Sequence, residues 1–289
     1  MILVTGATGN IGRELIRELG AAKVGFRALV RSAGKAETVR AAGGEAAVGD
    51  FTDPEVLRGA LAGVRKLFLL TPTDPAKVAV ESRIAEAAVR AGVAHVVKLS
   101  DIGAGARKPS VFSRLNRDAE RRIDALGVPR TFLRPSFFMQ NYFAFVDTIR
   151  SQGAILAAAG AGRHADIDVR DIAAVAARVL MEDGHESRAY TLTGPQAQSL
   201  ADAAHKIATI TGRDVRFVDL SVEDARRGMI TAGMSEWLAD GLNDLHAWFQ
   251  RGEGTTNGSA VTLDVEEILD RPPRSFETFV RENVQAFGG

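Results

Sequence analysis

Met1-Ile2-Leu3-Val4-Thr5-Gly6-Ala7-Thr8-Gly9-Asn10-Ile11-Gly12-Arg13-Glu14-Leu15-Ile16-Arg17-Glu18-Leu19 sets the architecture of everything after it. Ile2, Leu3 and Val4 make a short apolar run, read as a buried strand. Ile11, Leu15, Ile16 and Leu19 then recur at helical spacing, with Arg13, Glu14, Arg17 and Glu18 between them. Strand, glycine turn and helix form the context that a dinucleotide fingerprint requires. The spacing here is GxxGxxG, a weak signal alone and a strong one in this position. Gly6 permits the tight turn, Gly9 lets the backbone approach a pyrophosphate, and Gly12 lets the helix pack close to the strand. Ala7, Thr8, Asn10 and Ile11 complete the loop, and the helix start offers free N–H groups to phosphates.

A second strand, Val24 to Val30, ends in Arg31-Ser32, with Lys35 one helical turn on. An Asp or Glu near this point would hydrogen-bond the adenosine ribose 2′-OH of NAD. Arg31 takes its place. A guanidinium grips a 2′-phosphate where a carboxylate would repel it, so Arg31, supported by Ser32 and Lys35, argues for NADP(H).

Composition narrows the field. Acids and bases balance at 36 each, which gives no electrostatic footprint for nucleic acid or an anionic membrane. Cysteine is absent, so disulfides, thiol catalysis and cysteine metal sites are excluded. His95, His164, His185, His205 and His246 are scattered without ligand spacing, and no metal site is expected. No apolar run approaches the ~18 residues of a membrane helix. A core strand opens the sequence, so no signal peptide is expected and the protein is read as soluble and cytoplasmic.

Strands and helices go on alternating. Gly44 to Val48 reads as a third strand, closing on Gly49-Asp50-Phe51. Asp53 to Leu61 is a helix with Asp53 as cap and Pro54 at its first position. Asp50 and Phe51 lie where an adenine would sit; Asp50 either bonds its edge or caps a turn. Lys66 to Leu70 is the fourth strand, and the loop after it, with Leu70, Thr71 and Pro72, lies where open α/β sheets bind ligands. Helix Val78 to Ala91, strand Val93 to Leu99 ending at Ser100-Asp101, helix Phe112 to Leu126 and strand Arg130 to Leu133 ending at Arg134-Pro135-Ser136 follow. Six repeats in this span predict an α/β fold, a Rossmann-type doubly wound parallel sheet.

Beyond residue 135 the pattern changes. Phe137-Phe138-Met139-Gln140-Asn141-Tyr142-Phe143 is an aromatic cluster that is part core and suits a planar apolar ligand. Gly153 to Gly162 reads as small and flexible, and Asp168 to Met181 as a helix with Asp171 as its cap. After a strand Ala189 to Leu192, helices are expected at Leu200 to Thr211, Val222 to Met229, Ser235 to Phe249 and Arg274 to Phe287. Gly252 to Gly258 is the most linker-like stretch, and Trp237 and Trp248 read as core anchors. The domain division is 1–135 for the dinucleotide-binding unit, with 164–183 returning to it. Residues 136–163 and 184–289 form a smaller, mainly helical substrate region or lid.

Thr5-Gly6-Ala7-Thr8-Gly9-Asn10-Ile11-Gly12, Leu29-Val30-Arg31, Leu69-Leu70-Thr71-Pro72, and Leu133-Arg134-Pro135-Ser136-Phe137-Phe138-Met139-Gln140-Asn141 together resemble the NmrA-like branch of the atypical short-chain dehydrogenase/reductases. Gly212-Arg213 and Arg271-Pro272-Pro273-Arg274-Ser275-Phe276 extend the likeness over nearly the whole chain. That branch includes NAD(P)H:quinone oxidoreductases, triphenylmethane and azo-dye reductases, and an NADP-binding transcriptional co-regulator. The resemblance implies a Rossmann domain, NADP(H) as cofactor and a C-terminal substrate region.

Short-chain dehydrogenases usually carry Tyr-x-x-x-Lys, with a Glu one turn beyond in members of this topology. Aligned on Glu120, Asn116 takes the Lys position and Phe112 the Tyr position. The dyad is therefore read as absent, and Asn116 departs even from relatives that carry His there. Ser100 matches the strand-end Ser, where it either orients an oxygen or caps a turn. No catalytic residue is assigned; Ser100, Phe137, Phe138, Met139, Asn141 and Tyr142 are candidates for the substrate pocket. Ser100, Asn116 and Pro135 join the cofactor set. Without a tyrosine acid, ketone reduction is unattractive, because the alkoxide needs a proton or an oxyanion stabiliser. Quinones, azo dyes and conjugated cations accept hydride into a delocalised system and take a solvent proton later. Two classes follow: a reductase acting on a small planar or conjugated organic substrate, or an NADP-sensing regulator whose partner is a protein. Neither requires nucleic acid or membrane, and a homodimer is compatible with both.

Overall fold

The computed structural model describes residues 1–252 and 259–289. The elements run β1 (Ile2–Val4), α1 (Asn10–Ala21), β2 (Phe26–Val30), α2 (Ala33–Ala41), β3 (Glu45–Val48), α3 (Pro54–Leu61), β4 (Lys66–Leu69), α4 (Lys77–Arg90), β5 (His95–Leu99), α5 (Val111–Asp124) and β6 (Arg130–Pro135). Then come a 3₁₀ turn at Met139–Phe145, α6 (Val146–Gln152), β7 (Ala154–Ala157), β8 (Arg163–His164), α7 (Val169–Met181), β9 (Arg188–Leu192), β10 (Gln198–Ser199) and α8 (Leu200–Thr211). The rest is β11 (Arg216–Asp219), α9 (Val222–Thr231), α10 (Glu236–Arg251), α11 (Asp264–Leu269) and α12 (Phe276–Glu282).

Seven parallel strands form the main sheet in the order β3-β2-β1-β4-β5-β6-β9. The order reverses at β1, so β1 and β4 flank a crevice at their carboxyl ends, the place where such sheets hold ligands. The central strands β1, β4 and β5 are almost wholly buried because both faces are covered. On one face Leu15, Ile16 and Leu19 of α1 meet Ile172, Val175 and Val179 of α7. On the other, Leu57 and Leu61 of α3 join Ile84 and Ala88 of α4 and Ile123 of α5.

β9, read from sequence with the substrate region, pairs with β6 in register Leu133↔Tyr190 and closes the sheet edge. A third core lies away from the sheet, where Tyr142, Ile155, Leu200, Trp248, Phe276 and Phe279 meet. Gly153–Gly162 is not simply a flexible stretch. Ala154–Ala157 is strand β7, paired in parallel with β11. Ile155 and Leu156 between two alanines make too short an apolar run to signal a strand alone, and the remote partner Arg216–Asp219 makes this segment one. Asp171 is not the cap of α7. Asp168 is, accepting from Arg170 N at 2.9 Å. Asp171 is fully buried, accepts from Arg274 N at 2.7 Å and pairs with the Arg271 and Arg274 guanidiniums, tying the segment before α12 to α7. That tether is why α12 starts at Phe276, with Ser275 as its cap, and not at Arg274. Of the linker reading Gly252 to Gly258, all but Gly252 lies outside the described residues.

Candidate functional site

The N-terminal loop does what the glycines dictate. Gly6 sits at φ +68°, a conformation that side chains other than glycine rarely adopt. Thr5 Oγ1 clamps the loop to the end of β4, donating to the Leu70 carbonyl at 2.9 Å and accepting from Leu70 N at 2.8 Å. A Cβ on Gly12 would come within 2.1 Å of the Gly6 carbonyl oxygen, so the close approach is of helix to loop. A Cβ on Gly9 would meet nothing nearer than that same oxygen at 3.5 Å. Gly9 caps α1 without a side chain, and no acidic residue occupies the first turn. The helix start therefore presents unpaired N–H groups and a positive dipole end to the crevice.

A cavity of about 630 Å³ opens there. Gly6, Ala7, Thr8, Gly9, Asn10 and Ile11 form its floor at one end. Arg31, Gly49 and Phe51 lie along it after β2 and β3, Lys35 from the first turn of α2, and Leu70, Thr71 and Pro72 after β4. Ser100, Asn116, Pro135, Phe137, Phe138 and Asn141 complete the part of the wall anticipated from sequence. Gly12 and Ser32 are not in the wall. Asp50 is not either: its carboxylate accepts from Thr52 N at 2.7 Å, the turn-capping alternative, and its pKa is lowered by that bonding and by the charge of Arg31. Arg31 is exposed and makes no hydrogen bond or ion pair among the described residues.

Met139 and Tyr142 correct the pocket reading. Neither has any exposure, and neither lines this cavity. The chain passes them in a 3₁₀ turn, whose side chains eclipse every third residue. Met139 and Tyr142 therefore share the inner face with Phe145, while Phe138 and Asn141 share the cavity face. The Tyr142 hydroxyl donates to Asp166 at 3.0 Å, and burial together with that carboxylate holds its pKa well above the usual tyrosine range. Trp248 is a core anchor as expected, but Trp237 is half-buried, edge-on to Phe112 with ring centroids 5.5 Å apart.

Helix α10, which the sequence places in the substrate region or lid, lines the cavity opposite the sheet with Leu238, Leu242, Leu245 and Phe249. It is held down by Asp244, which accepts from Val111 N at 2.6 Å, and by Gly241, where a Cβ would strike the Phe112 ring at 2.3 Å. The helix is visible in the sequence, but not which of its sides faces a ligand space.

The polar end of the cavity is tightly wired. Ser100 Oγ donates to Glu120, which Arg134 grips through two bonds of 3.0 and 2.6 Å. The Ser100 proton is thereby committed, and its oxygen remains an acceptor toward the cavity. Asn116 Oδ1 accepts from Lys98 Nζ at 2.8 Å, and its Nδ2 donates to the Phe112 carbonyl at 3.2 Å. An ammonium has no acceptor, so this arrangement fixes the amide orientation. Lys98, Lys77 and Glu81 were missed. Their signal was a lone charge inside the apolar strand Val93 to Leu99 and an i,i+4 pair at the start of α4. No group of three or more His, Asp or Glu residues placed to hold a metal ion occurs among the described residues.

Fold and site together define an α/β protein of the Rossmann type, with a glycine loop and a two-ended cavity at the carboxyl edge of its sheet. Within that class, the chain belongs to the NmrA-like family, which it matches over residues 1–253. It is 40% identical over 289 residues to an NAD(P)H azoreductase of Xenophilus azovorans, covering 100% of this chain and 99% of that protein. It is 38% identical over 292 residues to a (4-alkanoyl-5-oxo-2,5-dihydrofuran-3-yl)methyl phosphate reductase of Streptomyces griseus, covering 99% of each. Among solved structures it resembles the NADPH-dependent quinone oxidoreductase QOR2 of Escherichia coli complexed with NADPH, with a TM-score of 0.86 at 28% identity over 100% of both chains. No helix among the described residues is long and apolar enough to cross a membrane.

Proposed function

We propose that this chain is an NADP(H)-dependent oxidoreductase that passes hydride to a flat conjugated acceptor of quinone, azo or related type, without a Tyr–Lys pair. The observation that carries the reading is the cavity itself. One end is the glycine loop with an unengaged Arg31, the other is lined by Phe112, Phe137, Leu238, Leu242 and Phe249. A dinucleotide laid along the loop puts its pyrophosphate on the start of α1, its 2′-phosphate by Arg31 and its nicotinamide toward Ser100 and Asn116. The apolar end then has room for a planar ring against the nicotinamide. A pure NADP sensor has no use for that apolar end. The residues' contribution is positioning and water exclusion, while the cofactor supplies the hydride. The three similar proteins named above support the reading, being a reductase or an oxidoreductase by name.

The test is loss of NADPH absorbance with a panel of benzoquinones, naphthoquinones and azo dyes. Turnover that saturates in both substrates supports the reading. Tight NADPH binding with no turnover across the panel makes the chain a sensor instead.

A further inference from the structure

Three charged side chains with almost no exposure lie against the polar end of the cavity. Lys98 and Glu81 have none, and Lys77 keeps 4%. Glu81 Oε1 accepts from Lys77 Nζ at 2.6 Å and from the Thr71 hydroxyl at 2.8 Å, while its Oε2 lies 3.1 Å from Lys98 Nζ. Lys98 also donates to the Leu99 carbonyl and to Asn116, both at 2.8 Å. Lys77, Thr71 and Asn116 belong to the cavity wall. Two ammonium groups thus share one carboxylate, which leaves one positive charge held beside the ligand space. The neighbouring acids have partners of their own. Glu120 is matched by Arg134, and the Asp101 carboxylate accepts from Gly103 N at 2.7 Å, while burial raises its pKa. Burying three ionised groups costs more than apolar residues of the same volume would, so packing alone does not account for the cluster. A fixed charge in a water-poor site acts strongly on charge that develops nearby.

We propose that the Lys77–Glu81–Lys98 cluster selects neutral conjugated acceptors, those that become anions on taking a hydride, and disfavours cationic dyes. This rests on the hydride-transfer reading above. In that step the C4–H bond of the dihydronicotinamide breaks, and the hydrogen and its electron pair form the new bond to the acceptor. NADPH becomes NADP⁺. A neutral quinone becomes a hydroquinone monoanion and then takes one proton from solvent. A cationic triphenylmethane dye becomes neutral and needs no proton. The cluster's charge lowers the energy of the anion and opposes entry of the cation. It is not consumed, and Lys77 and Lys98 act as positioning residues for the field.

The experiment compares kcat/KM for a neutral benzoquinone and a cationic triphenylmethane dye in the wild type, Lys77→Met, Lys77→Arg, Lys98→Met and Glu81→Gln. Lys77→Met and Lys98→Met should lower the quinone-to-dye ratio by about tenfold or more, less than the roughly 10²–10³ for loss of a donor in direct contact, because this charge acts from behind the wall. Lys77→Arg should keep the ratio, and Glu81→Gln should raise it. A second readout needs no turnover: the pH at which p-nitrophenol ionises when bound to the NADP⁺ complex, read from its absorbance. The bound phenol should ionise at lower pH than the free one in the wild type and shift back up in Lys77→Met. A native circular dichroism spectrum with unchanged ratio and unchanged phenol ionisation would make the cluster a structural plug and overturn the proposal. Absence of NADPH oxidation with either acceptor would defeat the hydride reading, and the phenol titration would still decide the charge. Should Lys77→Met fail to fold, the opposite shifts expected of Lys98→Met and Glu81→Gln carry the same decision.

Discussion

Replacing Arg31 with Ala should weaken the preference for NADP(H) over NAD(H) about tenfold. Arg31 stands at the carboxyl end of β2, on the cavity wall, with no ion pair among the described residues to compete for it. A hydrogen bond to a charged group is worth about 1.5–3 kcal/mol. The guanidinium is exposed, so screening trims this toward about 1.4 kcal/mol, or tenfold in affinity. Lys35 lines the same end and is exposed, so part of the preference should survive as a weaker, salt-sensitive remnant. Calorimetric titration of NADPH and NADH against wild type and Arg31→Ala closes a cycle in which the 2′-phosphate is one perturbation and the guanidinium the other. The expected result is a selective loss for NADPH with NADH nearly unchanged. Equal wild-type affinities, or equal losses for both cofactors, would refute the assignment.

Gly9→Val should abolish NADPH binding and leave a native circular dichroism spectrum, because its Cβ meets only the Gly6 carbonyl, at 3.5 Å, and then enters the pyrophosphate space; Gly12→Ala, blocked at 2.1 Å, should instead cost stability. Tyr142→Phe should lower stability by about 1–2 kcal/mol through its lost bond to Asp166, yet leave kcat/KM nearly unchanged. A proton-donating tyrosine would cost roughly 10²–10⁴ in rate, and a loss of that size would mean the acid was rebuilt at this position. Burial lowers the Lys98 pKa from its ordinary 10.5 to about 8, with Glu81, Lys77 and Glu120 as the other charges acting on it. Between those two pH values the unfolded chain binds a proton that the folded one does not. Unfolding free energy should therefore rise with pH through that window, and Lys98→Met should flatten the slope in urea titrations.

How much of this was legible depends on whether the signal is local. The order β1 to β6 could be read because each strand is an apolar run bounded by turn residues, and the glycine loop because its chemistry is contained in seven residues. β7 and β11 were not legible, since Ala154–Ala157 becomes a strand only against a partner some sixty residues away. The aromatic stretch was legible as a cluster but not as two faces, because only the three-residue period of the 3₁₀ turn separates Met139 and Tyr142 from Phe138 and Asn141. The lysine position on α5 was read as empty of charge. A lysine reaches Asn116 all the same, from the neighbouring strand β5, and no spacing along α5 reveals it. The cavity-facing side of α10 likewise depends on the tertiary arrangement, although the helix itself is legible from Ser235 to Phe249.

Mixing the protein preloaded with NADPH, or with NADPH carrying deuterium at the transferred C4 position, against excess neutral quinone tests hydride transfer most directly. One turnover should oxidise one bound cofactor per quinone reduced, and the deuterated cofactor should be consumed more slowly. A bound NADPH that persists in the presence of quinone, or that disappears at the same rate with either isotope and without quinone reduction, would contradict the account.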